Sequence, residues 1–293
     1  MTEIPTFINN KYPNSKPIYR QNLVKVLQKF IASNLADNNF EADLTSGVES
    51  KFWARLSEAL IYNRLQDMHF LDRTNSGGPD FLLDCNGQKL WIEVICPEPA
   101  GVPREWLEPE LNQVFSFPAN EVLLRWTSAF KEKAEKLLDN PTGYLSKKLV
   151  VNNDVYVIVI NGCQLRSGPF PAFHGISQFP NAAEAVFPIG PPQIHINRMT
   201  SEIVGRGHQE RFSIPKPNGS EVTTHAFIDP NHQMISAIWA VDFIGSSLVG
   251  EVEHSAVIHN PLAINPLAYN FLPSEREFCA TPCGENEYSF GAI

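Results

Sequence analysis

Residues 77–99 read GGPDFLLDCNGQKLWIEVICPEP. Asn86-Gly87 lies between two apolar runs and is the strongest short signal for a two-residue type I′ hairpin, because both turn residues need positive φ. Such a turn fixes the register of its strands. Cys85 pairs with Gln88, Asp84 with Lys89, Leu82 with Trp91 and Asp80 with Glu93. The last pair sets two carboxylates opposite one another on one face, with Cβ atoms about 5 Å apart. Like charges so opposed are destabilising unless a cation lies between them. A divalent metal is the natural cation, and Mg2+ typically uses one or two carboxylates plus a phosphate. The plainer reading is that both acids are solvated hairpin ends. However, WIEVI is nearly continuous apolar sequence, which places its strand centrally. An acid there is costly without a partner. Gly77-Gly78-Pro79, just before Asp80, permits close approach of backbone or phosphate.

Outward from the hairpin, residues 21–35 carry Leu23, Val26, Leu27, Phe30 and Ile31 at helical spacing. Residues 48–66 form a second amphipathic helix, with Phe52, Trp53, Leu56 and Leu60 on one stripe. Residues 121–139 start strand-like and become helical, with Thr127 or Ser128 as the N-cap. DVYVIVING, 154–162, reads as a buried strand. Residues 1–20 read as an irregular arm. After residue 162 come Pro/Gly-rich segments, a hairpin around Asn218-Gly219 and strands within 234–243 and 254–267. The tail from 273 is polar. The expected fold is α/β: a mixed β-sheet flanked by helices. Residues 21–162 are the core, and 163–293 a strand- and loop-rich C-terminal extension of the same domain.

The chain has 293 residues, 43% hydrophobic and 19% charged, so it is globular rather than disordered. No apolar run is long enough to span a membrane, and the first twenty residues lack the apolar centre of a secretory signal. The five cysteines are scattered and odd in number, which fits reduced thiols in a cytoplasm. Cys279 and Cys283 lack a second pair at zinc-site spacing. The net charge of −9 argues against coating nucleic acid by bulk electrostatics and leaves room for a local basic groove. No Walker loop, GxGxxG or GxSxG occurs, so neither a nucleotide cofactor nor a serine-hydrolase elbow is expected. His254/His259 and Asp229/His232 give no three-ligand set. Phe170, Phe173, Phe179 and Phe187 read as loop anchors, or alternatively as a platform for stacking bases.

Pro79-Asp80, then Glu93 on the next strand, after an acid-bearing helix, resembles the PD-(D/E)xK nuclease superfamily, whose fold is restriction-endonuclease-like. The resemblance covers roughly residues 45–162 and rests on a short, degenerate motif. It implies that Asp80, Glu93 and the carbonyl of Val94 hold Mg2+, with Mn2+ able to substitute. It also implies that a helix glutamate completes the site. Glu58, in FWARLSEALIYNRL, matches that helix better than Glu49. The implied activity is a metal-dependent endonuclease of restriction or defence type. Its partner is nucleic acid, DNA foremost, and many relatives act as homodimers.

The family's lysine stands two residues beyond the glutamate, where this chain has Ile95. Lys89 lies about 13 Å from Glu93 along the strand and reads as a surface partner of Asp84. Lys131 lies off the apolar stripe of its helix. Lys133 falls within it, beside Phe130, Ala134 and Leu137, where an ammonium is expensive unless an anion meets it. Lys133 is either the relocated lysine, orienting or activating the attacking water, or a residue snorkelling along the core edge. Arg125 is a further cation suited to phosphate. The alternative function is an inactive nuclease-like fold that binds nucleic acid or protein.

Overall fold

The structure is a computed structural model describing residues 3–71, 77–110, 114, 116–284 and 287–293. The described chain starts with helices α1 (Ile4–Lys11), α2 (Pro17–Ala32), α3 (Phe40–Thr45) and α4 (Glu49–Leu65). A hairpin of β1 (Phe81–Cys85) and β2 (Gln88–Ile95) follows, then α5 (Arg104–Leu107), α6 (Ala119–Leu138) and β3 (Val155–Asn161). Next come α7 (Asn181–Val186), β4 (Ile189–Ile196), β5 (Ile203–Glu210), β6 (Ser213–Pro215) and β7 (Glu221–Thr223). The chain then supplies β8 (Ala237–Val241), β9 (Ser255–His259), β10 (Arg276–Pro282) and β11 (Tyr288–Ala292).

Among the described residues, seven strands form one mixed sheet in the order β1-β2-β3-β8-β9-β10-β11. β2, β3 and β8 run parallel, as do β9 and β10, and the remaining neighbours are antiparallel. Side chains alternate across the pleat. Val155, Val157 and Val159 therefore pack under α1 to α4, while Tyr156, Ile158 and Ile160 pack under α6 and α7. The architecture is an α/β fold with helices on both faces of a mixed sheet.

The hairpin register is the one the Asn-Gly turn dictates: Leu82 opposes Trp91, Asp84 opposes Lys89 and Cys85 opposes Gln88. Asn86 and Gly87 take φ of 55° and 86°, and Asp84 closes the turn by accepting from the Gly87 N–H at 3.0 Å. β8 and β9 extend the same sheet beyond β3, so strands after residue 162 share the core of those before it.

Two expectations are corrected. Residues 1–20 are not an irregular arm: Pro5 and Pro17 stand in first helical turns, where proline is favoured, and α1 buries Ile4 and Ile8 completely. Residues 121–139 contain no strand. α6 is helical from Ala119, and Thr127 lies inside it with Oγ1 donating to the Leu124 carbonyl at 3.0 Å. The polar tail carries β10 and β11 at the sheet edge, where one flank needs no apolar cover. Of the loop aromatics, Phe173 and Phe187 are buried and Phe179 packs against the core. Phe170 is exposed.

Candidate active site

β2 carries Glu93 into the interior on the α6 side of the sheet, the face it shares with Trp91. Only 1% of its side chain is exposed. An ionised carboxylate so buried requires cationic partners, and α6 supplies two. Lys133 Nζ lies 3.0 Å and Lys136 Nζ 2.6 Å from Glu93 Oε1. Tyr144, in the turns after α6, donates its hydroxyl to Oε2 at 3.1 Å. Lys133 comes from within the stripe of Phe130, Ala134 and Leu137, all buried, and is itself 11% exposed. Its stem thus runs along the sheet to the acid. Burial works against the Lys136 ammonium, but the Glu93 carboxylate outweighs it and raises the pKa.

Asp80 stands one residue ahead of β1, so the ladder itself stops at Phe81 opposite Ile92. Its side chain continues where the ladder ends: Oδ2 accepts the Val94 N–H at 2.6 Å. Burial, and then the charge of Glu93, push the Asp80 carboxyl up. The Val94 bond, Lys133 and Lys136 oppose that shift. Gly77, with φ of 90°, makes the turn into this position.

Glu58 reaches the same cleft from α4. Arg55 NH1 donates to its Oε1 at 3.0 Å and Oε2 at 3.3 Å, and the guanidinium also pairs with Asp37 and Asp43, each at 2.8 Å. Burial and then the Asp80 charge raise the Glu58 pKa against the pull of Arg55. Glu49, the rival acid on this helix, is exposed and pairs with Lys11 at 2.6 Å and the Trp53 indole at 2.8 Å. It does not line the cleft.

Asp80, Glu93, Val94, Glu58 and Lys133 therefore line one cleft of about 550 Å³, together with Ile95, Arg55 and Arg125. Lys131 points to solvent with Glu135 at 3.5 Å, and Lys89 is exposed at the far end of the hairpin. Lys136, Tyr144 and Arg55 were not singled out by the sequence. Lys136 has one readable mark, its place three residues after Lys133 on the same helical face. The histidine pairs stay outside the cleft, and His259 is buried against Glu277 at 2.9 Å.

Among the described residues, no group of three or more His, Cys, Asp or Glu side chains is arranged to hold a metal ion. The donors nevertheless suit a hard cation that keeps waters and shares a substrate phosphate. Asp80 Oδ1 has no hydrogen-bond partner among the described residues. The Val94 carbonyl leaves the strand on the same side as its N–H, towards Asp80. Burial raises Asp80 and Glu58 most, and the carboxylate repulsion that adds to it is what a cation would relieve.

The two raised carboxyls make stability depend on pH. A carboxyl whose folded-state pKa exceeds its unfolded value binds its proton more tightly when folded. That stabilisation is complete below the unfolded value, about 4.3 for glutamate. It is lost as pH rises through the folded value, about 8 for Glu58. The melting temperature is expected to fall as pH rises across this window, and Glu58→Gln to flatten the fall. Thermal scans that keep the wild-type slope in Glu58→Gln would rule out Glu58 as the source.

No protein-family model, no curated protein and no solved structure matches the chain.

Proposed function

We propose that the chain is a divalent-metal-dependent nuclease that hydrolyses phosphodiester bonds on a restriction-endonuclease-like core. One observation carries the reading. The ammonium that β2 lacks at Ile95 arrives from α6, with Lys133 Nζ 3.0 Å from Glu93 in the cleft that Asp80 and Glu58 share. Asp80, Glu93 and the Val94 carbonyl would hold Mg2+ or Mn2+, with Glu58 assisting. When bound, such an ion polarises a phosphoryl oxygen and lowers the pKa of its water.

The chain's own residues supply the rest. Lys133 orients the attacking water and offsets charge as it grows on the phosphate. Lys136 and Tyr144 fix the Glu93 carboxylate, leaving Lys133 placed rather than free to swing. Arg55 holds Glu58 towards Asp80. The substrate is nucleic acid, DNA foremost, admitted by the cations of the cleft within an acidic protein.

A second reading is an inactive nuclease-like fold that binds nucleic acid or protein. What favours it is that two ammonium groups and a phenol already satisfy Glu93. An assay on mixed DNA and RNA separates the two. Cleavage is expected with Mg2+ or Mn2+ and is lost in EDTA and in Asp80→Asn. Millimolar Mg2+ should also raise the wild-type melting temperature and leave that of Asp80→Asn unchanged. No cleavage with either metal and no thermal response would leave the inactive fold.

A further inference from the structure

The cleft does not end at its acids. Arg125 and Ser128 line it, and the same two residues line a second cavity, of about 770 Å³, on the other flank of α6. The loop after β2 is shared in the same way. Cys96, Pro97 and Glu98 face the first cavity, and Ala100 and Gly101 face the second. The two cavities thus meet between this loop and α6.

Their walls differ. The second cavity runs from α6 to the β6–β7 hairpin past Leu124, Ala134, Pro217, Val222 and Ala226, and its charged side chains are of both signs. A run of phosphates would call for a basic wall. A base, with apolar faces and polar edges, suits this one. The volume is that of a site for a few small groups, typically about 300–1,000 Å³, and a stacked duplex does not enter such a space.

Arg125 stands where the cavities join. Lys51, Arg55, Lys133 and Lys136 each pair with a carboxylate. Arg125 makes no ion pair or hydrogen bond among the described residues, and its Nε is buried without a partner. The rest of the side chain is only partly covered and lines both cavities, so the guanidinium is open to an anion there that no acid of the chain supplies.

We propose that the second cavity holds unpaired nucleotides beside the scissile bond, with Arg125 on the phosphate between the two cavities, so that the substrate is a single-stranded segment of nucleic acid. The inference rests on the nuclease reading. Its test uses the full chain with a labelled single strand and the blunt duplex of the same sequence. Binding is followed by fluorescence anisotropy in EDTA, and cleavage in Mg2+.

The single strand is expected to bind and be cut at least about tenfold better than the duplex. Arg125→Gln should weaken single-strand binding about tenfold, the loss of one charge-assisted contact. Thr223 is an exposed residue of the groove wall, and Thr223→Trp should weaken binding similarly while the melting temperature holds. Preference for the duplex, or unchanged single-strand binding in both variants, overturns the proposal and leaves the nuclease reading standing. Groove-dependent binding of the single strand without cleavage overturns the nuclease reading and with it the claim of a substrate, and leaves a cavity that binds single strands. If neither strand binds or is cut, both are overturned.

Discussion

Lys133→Met is expected to lower cleavage by about two to four orders of magnitude, the range for a positioned proton-transfer or charge-stabilising group, while the chain stays folded. Methionine keeps the unbranched stem that packs between Phe130 and Leu137 and removes only the ammonium. Glu93 is not stranded by the change, because Lys136 at 2.6 Å and Tyr144 at 3.1 Å remain on its two oxygens. The melting temperature should therefore move by a few degrees at most. Lys136→Met should cost less activity, since that side chain is 48% exposed and its charge is shared with water. Ile95 follows Glu93 by two residues on the same face and lines the cleft. Ile95→Lys in the Lys133→Met background should then recover part of the rate. Single-turnover assays decide the matter: cleavage by Lys133→Met at the wild-type rate would end the relocation argument and leave Lys136 or Arg125 as the next candidate.

The largest effect on stability should come from Glu93→Ala. The carboxylate has two ammonium partners and a phenol around it, and Lys133, with 11% of its side chain exposed, cannot reach water freely. Removing the acid leaves that mostly buried ammonium with only the exposed Glu132 carboxylate, 3.6 Å away, and breaking a buried pair in this way costs roughly 3–5 kcal/mol. In a chain of this size the loss should lower the melting temperature by about 6 °C or more. Glu93→Gln keeps the volume and a partner for Tyr144, so it should fall between Ala and wild type. Glu93→Leu combined with Lys133→Met removes both charges and should recover most of the stability while remaining inactive. A Glu93→Ala protein that melts with the wild type would mean that the cluster contributes nothing to the fold.

The hairpin was legible because Asn86-Gly87 fixes both the turn and, through it, every pairing up to the edge of the site. β3 and β8 were legible because both faces are buried, which leaves unbroken apolar runs. The start of α6 misled for the same physical reason. Val122 and Leu123 are both fully buried, because the helix is covered across a wide arc, and adjacent buried residues imitate a strand. β4 and β5 escaped notice because their hairpin is exposed on both sides, with Ile194 and Ile196 each 57% accessible, so no alternation marks it. Within the cleft, Lys133 betrayed itself as a charge inside an apolar stripe. Tyr144 lies beyond a turn, and Arg55 draws its acids from Asp37 and Asp43 in other segments. Tyr144 has no local mark, and for Arg55 the local mark is its place three residues before Glu58 on one helical face.

The acid and its ammonium belong to different layers of the molecule. Two groups on one strand keep their spacing for as long as that strand exists. Glu93 and Lys133 keep theirs only while α6 remains seated on the sheet. On the proposed reading, activity becomes a gauge of interlayer contact rather than of the backbone. Warming that loosens α6 silences the cleft while the circular dichroism of the sheet is still intact. Inactivation and unfolding would then be two separate transitions, with the loss of activity at the lower temperature.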